Sequence, residues 1–178
     1  MRAIYASDFT LEPQTRAHGE QMFVVLSDPA IYKHENRPPQ SLEWLQERFT
    51  KLESRRSPNG MEQWLNWVIR LPTSDLAGYV QATVHEDGRA AIAYELSSPY
   101  WGRGLARRAV RVMITELAEY YHVRRVTAVL KRENQRSFRL LERLAFALAS
   151  PACRSKYGVE DDEILMWREV YAHDRGAR

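Results

Sequence analysis

Across one glycine turn, YWGRG at 100–104, the hydrophobic period of this chain switches from two residues to about 3.6, and that switch limits the possible folds more than any other feature. Upstream, "WLNWVIRL", "LAGYVQATVHE" and "RAAIAYEL" alternate apolar and polar positions, separated by "PTSD" and by Asp87-Gly88, both hairpin signals. They predict three antiparallel strands. Downstream, Leu105, Ala109, Val112, Met113, Leu117 and Tyr120 fall on one helical face, with arginines opposite. "RRVTAVL" then reads as a strand, "NQRSFRLLERLAF" as a helix and "EILMWREV" as a last strand. A strand, helix, strand unit makes the two strands parallel, so the sheet is mixed.

The N-terminal third predicts two helices. "PQTRAHGEQMFVVLSDPAIY" carries Ala17, Met22, Val25 and Leu26 on one side and should end near Pro29, and "SLEWLQERFTKLESRR" carries Leu42, Leu45, Phe49 and Leu52 behind a Ser41 cap. With 178 residues, 44% of them hydrophobic, and no repeat or low-complexity linker, the chain is expected to form a single α/β domain over 1–178. Its sheet should be mixed but mostly antiparallel, with helices on both faces.

No apolar run approaches the length of a membrane span, and the first residues lack a secretion pattern, so a cytoplasmic protein without a membrane partner is expected. The lone Cys153 has no internal disulfide partner and reads as an inert small residue; the five scattered histidines suggest no metal set. Between Trp101 and Ala145 stand eleven basic residues and four acidic ones, against a net charge of +3 for the whole chain. This stretch is either a solvated arginine face or the bed of a polyanionic ligand. A nucleic-acid module is not expected, because the remainder is acidic and no RNA-binding signature occurs.

A glycine turn that feeds a helix gathers unpaired N–H groups at one point, to which the helix dipole adds positive potential. Gly102 and Gly104 supply such a turn, with Arg103, Arg107 and Arg108 close by. It lacks the Gly-Lys-Ser/Thr ending of a nucleotide loop and the third glycine of a dinucleotide fingerprint.

The segment "LSSPYWGRGLARRAV" resembles the acetyl-CoA pyrophosphate loop of the GNAT N-acetyltransferases, Gln/Arg-x-x-Gly-x-Gly/Ala, particularly the branch related to the ribosomal-protein alanine acetyltransferases. Gly104 and Ala106 match; Trp101 stands where Gln or Arg is usual. "LSDPAIYKH", "WLNWVIR", "LAGYV", "ENQRSFRLLERLAF" and "DEILMWREV" resemble further family segments in the usual order, so the likeness spans nearly the whole chain. It implies a direct-transfer enzyme that uses acetyl-CoA as co-substrate, without a metal. The donor would be held by Leu96, Ser97 and Ser98, by Trp101, Gly102, Arg103, Gly104, Leu105, Ala106 and Arg107, and by Asn134 and Ser137. The second family motif, Asn-x-x-Ser, is met by Asn134 and Ser137, whereas Leu141 occupies the place of the frequent tyrosine acid and Ala145 that of the glycine before Phe146. The resemblance thereby moves the acid role to Ser137, although Asn134 also fits a plain helix cap and Ser137 a tolerated first-turn serine.

Glu95 emerges from strand alternation. Ala91, Ala93 and Glu95 share one face of their strand, where small neighbours leave room for a carboxylate that either takes a proton from an amine or recognises a cationic acceptor. Glu35, Asp162 and Glu163 are weaker candidates. Trp44, Trp64 and Trp67 either shape the acceptor side or belong to the core. The acceptor is expected to be a primary amine, on a protein N-terminus or a small molecule, and the protein a monomer or homodimer. The competing expectation is a non-catalytic acyl-CoA sensor or scaffold with the same fold.

Overall fold

A computed structural model describes residues 1–34, 37–150 and 157–171. Eight strands form one sheet in the order β1 (Ile4–Tyr5), β2 (Thr10–Pro13), β3 (Glu62–Arg70), β4 (Leu76–His85), β5 (Arg89–Leu96), β6 (Arg125–Lys131), β8 (Glu163–Glu169), β7 (Ala147–Leu148). The expected meander is β3–β4–β5, turning at Ser74 and at Gly88, both with positive φ. Only β5 and β6 run parallel, joined through α3 (Leu105–Tyr120), so the sheet is mixed and mostly antiparallel.

Helices cover both faces. On one, α1 (Gly19–Leu26) and α2 (Leu42–Leu52) bury Met22, Val25, Leu26, Leu45 and Phe49 against Val68 and Leu76. On the other, α3 lays Leu105, Ala109, Val110, Met113, Ile114 and Leu117 over Leu65, Trp67, Ile69, Val80 and Ile92. Leu141 of α4 (Gln135–Glu142), with Leu144 and Phe146 just beyond it, closes this larger core.

Several expectations need correction. The first predicted helix stops before Pro29 as expected, but it begins later than its sequence pattern: a 3-10 turn at Arg16–His18 precedes α1, and a separate 3-10 turn at Pro29–Lys33, capped by Asp28, follows it. Ala17 is exposed rather than part of the core face. On α3 the buried face is wider than the apolar stripe: Glu116 is 3% exposed because Arg2 pairs with it at 2.8 Å, whereas Tyr120 is half exposed. The sequence reading missed β1, β2 and β7, which are too short to show a period. Cys153 lies outside the described residues.

Candidate active site

The parallel pairing of β5 with β6 lasts only from Arg89–Ala91 to Arg125–Thr127, after which no pairing joins the two strands. A cavity of about 500 Å³ is lined by Ile92–Leu96 on one side and by Ala128–Leu130 on the other. Backbone direction follows from register. The Ser97 N–H donates to the Ala77 carbonyl at 2.9 Å, and Glu95 and Ala93 stand at the same phase of the β4–β5 ladder. The backbone groups of Tyr94 and Leu96 therefore point away from β4, into the gap. Their N–H groups are the part of the β5 edge that faces the cleft.

Trp101 is fixed at this edge: its indole N–H donates to the Leu96 carbonyl at 2.8 Å, and the Arg136 guanidinium lies 3.6 Å from its ring centroid. The tryptophan thus ties the glycine turn to β5, while Arg136 ties α4 to the turn. Gly102 and Gly104 have φ of +73° and +74°, the left-handed region that L side chains avoid. A Cβ at Gly102 would meet no protein atom, so local backbone conformation rather than crowding by the protein requires glycine there. Gly104 is the N-cap of α3 and no side chain caps that helix, so the N–H groups of the Leu105–Arg107 turn have no side-chain acceptor. The Leu105 side chain itself is core, Ala106 lines the cavity, and the Arg107 Nε is buried without a partner. Arg108 braces the turn against the segment before β2, donating to the Arg103 carbonyl at 3.2 Å and to Asp8 at 2.5 Å. Arg103 is exposed.

Glu95 lies on the cavity wall facing α1 and α2. Its cross-strand partner Tyr79 hydrogen-bonds the carboxylate, and burial first, then the charge of Glu95, push the Tyr79 hydroxyl well above its ordinary range. Tyr32 is pushed up to about 12 by burial, then by Glu95 and Asp28. Both phenols therefore remain protonated donors at neutral pH. The Ser98 N–H donates to Asp28 at 2.7 Å and the Ser97 hydroxyl at 3.4 Å; these bonds, led by the backbone one, hold Asp28 below the usual carboxylate range. The N–H groups of Ser97 and Ser98 are thus already engaged, and the backbone of Tyr94 and Leu96 is the part of this β5 end that faces the gap.

Across the gap, the Asn134 side-chain oxygen accepts from the Ser137 N–H at 3.1 Å, so Asn134 does cap α4. Ser137 and Asn134 both line the cavity, and the Tyr94 hydroxyl reaches the Ser137 carbonyl at 3.5 Å. Among the weaker candidates, Glu163 and Asp162 ion-pair with Lys131 at 3.2 and 3.0 Å and do not line the cavity, while Glu35 lies outside the described residues. Trp67 is fully buried core with its indole donating to the Arg2 carbonyl, Trp64 bonds Glu62, and only Trp44 of the three reaches the cavity. Sequence reasoning missed Tyr32, Tyr79, Asp28, Tyr94 and Arg136. Cross-strand register would have yielded Tyr79; the others depend on tertiary contact.

A splayed parallel pair, an uncapped helix behind a glycine turn and a carboxylate beside the opening meet at one cavity of an acetyltransferase fold. The chain belongs to the acetyltransferase (GNAT) domain family, whose model matches residues 8–147. It is 25% identical over 148 residues to the uncharacterized N-acetyltransferase p20 of Bacillus licheniformis, across 82% of this chain and 83% of that one. Its fold is similar to that of a RimL ribosomal L7/L12 alpha-N-protein acetyltransferase in complex with coenzyme A, with TM-score 0.80, 17% identity, and 94% and 98% of the two chains covered. It is also similar to the ribosomal-protein-S5-alanine acetyltransferase of Vibrio fischeri, with TM-score 0.76, 18% identity and 94% and 96% coverage. Among the described residues no helix is long and apolar enough to cross a membrane, and no group of three potential metal ligands occurs.

Proposed function

We propose that the protein transfers an acetyl group from acetyl-CoA directly to a primary amine, as a cytoplasmic monomer or homodimer. The observation that carries this reading is one cavity holding the gap-facing β5 edge, Glu95 and Ser137 together. The donor site has the right chemistry: left-handed glycines and the uncapped start of α3 suit a pyrophosphate, and the gap between β5 and β6 suits an extended pantetheine arm. Gly102 through Arg107 would hold the phosphates, with Trp101, Asn134 and Arg136 flanking the arm. Acetyl-CoA supplies the activated acyl group as a thioester.

The chain's own groups then meet three requirements. Glu95 accepts the proton that the attacking ammonium must lose, while Tyr79 keeps its carboxylate oriented. The Tyr94 and Leu96 N–H groups, at the gap edge, donate to the carbonyl oxygen as it gains charge. The Ser137 hydroxyl passes a proton to the sulfur as the C–S bond breaks and regains one from the nitrogen as the amide forms; a thiol pKa of about 8.5 already makes the thiolate a fair leaving group, so little acid assistance is needed. A panel of amines and short peptides, assayed for free CoA, tests the proposal. Turnover with at least one amine is expected; acetyl-CoA binding without CoA release for any of them would favour a sensor or scaffold.

A further inference from the structure

The cavity floor contains polar side chains that the transfer chemistry does not use. Gln14 and Asn66 are 3% and 4% exposed, and with Gln81 they line the cavity. None of the three side-chain amides has a hydrogen-bond partner among the described residues. None of their polar atoms is among the fully enclosed, unpartnered side-chain atoms, so the amides face the open cavity, where a ligand can pair with them.

Register explains how they meet. The Gln14 N–H donates to the Asn66 carbonyl at 2.8 Å, continuing the β2–β3 pairing; Asn66 pairs with Gln81, and Gln81 with Ala93. Directly opposed residues on antiparallel strands share a face, so the three amides form a transverse row that leads through Ala93 to the gap. Tyr79 and Glu95 form the parallel row two residues along, about 7 Å away by strand rise. Arg55 holds the Gln14 carbonyl from the far side, fixing the end of the row. Above it, Arg37, Trp44 and Arg48 line the cavity from the α2 side, with the Arg48 guanidinium 5.8 Å from the Trp44 ring. Glu95 is the single carboxylate among the described lining residues.

Resting on the acetyl-transfer reading, we propose that the Gln14–Asn66–Gln81 row is the specificity site for the acceptor, and that it selects an amine bearing peptide-like amide groups close to the nitrogen and an acidic group further out. With the amine at Glu95, hydrogen-bonding groups one or two bonds beyond its α-carbon reach toward the amide row, where side-chain amides can donate and accept at once. Arg37 and Arg48 then meet negative charge and disfavour polyamines. A bare hydrocarbon amine would leave three amides desolvated and unpaired.

Calorimetric titration of CoA-saturated protein with three amines tests this: the tripeptide amide Ala-Asp-Asp, its counterpart Ala-Lys-Lys, and pentylamine. The acidic peptide should bind at least tenfold more tightly than either. Gln81→Met and Gln14→Met, which keep side-chain length, should each weaken it about tenfold while the CoA-induced Tm shift persists, and Arg48→Glu, at an exposed position, should reverse the preference between the two peptides. Weaker binding of alanine amide than of the acidic tripeptide is expected as well, since it lacks the outer acidic group; equal binding of the two overturns the proposal. Equal binding of acidic and basic peptides by the wild type, or unchanged binding in both methionine variants, overturns it too. Selective binding with no CoA release overturns the transfer reading instead and leaves the amide row standing.

Discussion

Glu95 stands among phenols on the cavity wall. Tyr79 hydrogen-bonds its carboxylate, and its charge helps to raise both Tyr79 and Tyr32. A carboxylate facing the cavity is placed to take a proton from an amine bound there. Glu95→Gln keeps the size and removes the base, so kcat should fall by about 10²-fold to 10⁴-fold, with the loss shrinking toward high pH as the amine deprotonates in solution. A raised KM for the amine with kcat intact would instead make Glu95 a recognition residue. The carboxylate's face was legible from the alternation of "AAIAYEL", because period two assigns sides without any tertiary information. Its neighbours were not legible. Tyr79 comes from register, and Tyr32, whose hydroxyl donates to the Leu26 carbonyl, sits in a 3-10 turn whose packing no local pattern encodes.

At the scale of elements, the loop before α3 and the end of α4 both depend on positive φ, and the chain solves them differently. Gly104 has φ +74° with the Arg108 guanidinium 3.2 Å from where a Cβ would stand. Gly104→Val would strain the turn and crowd the start of α3, so the Tm gain that acetyl-CoA gives by mass action should largely vanish in that variant. A preserved gain would mean that the phosphates bind elsewhere. Ala145 stands at φ +62° just past α4, where its N–H reaches the Glu142 carbonyl at 2.9 Å and the Phe146 N–H reaches the Leu141 carbonyl at 3.0 Å. This is the left-handed termination in which glycine is usual. Ala145→Gly should therefore stabilise the protein by about 1 kcal/mol, the order of the strain that an L residue carries there, readable as a rise in urea midpoint at constant slope. The glycine turn and the Ser41 cap were legible because they are local; α4 looked longer in the sequence because "RLAF" continues the apolar spacing after the chain has left the helix.

Over the whole molecule, the α1–α2 cover is tied to the sheet by carboxylates as well as by its apolar core. Asp28, between α1 and the following 3-10 turn, receives the Ser98 N–H at the end of β5. Glu12 of β2 binds Arg70 of β3 at 2.9 Å and His18 at 3.2 Å, and the Arg70 hydrogen bond is the leading cause that holds its carboxyl below the ordinary 4.5. Asp28 is likewise held below 3.8. A carboxyl whose pKa is lower folded than unfolded binds fewer protons in the folded state, so its stabilisation is fully present above the unfolded value and is lost as pH falls through the folded one. Tm should thus hold steady from neutrality to about pH 5 and then decline below the ordinary carboxyl values of 4.5 and 3.8. Asp28→Asn should lower Tm at pH 7 by about 2–4 °C, the shift that about 1 kcal/mol produces in a domain of this size. The same variant should lose less Tm than wild type between pH 5 and pH 3, because the proton that Asp28 would take up on unfolding no longer contributes. Parallel acid profiles for the two proteins would show that the tie at Ser98 contributes nothing to holding the cover, and would leave the apolar contacts of Met22, Val25 and Phe49 to hold the acceptor side closed by themselves.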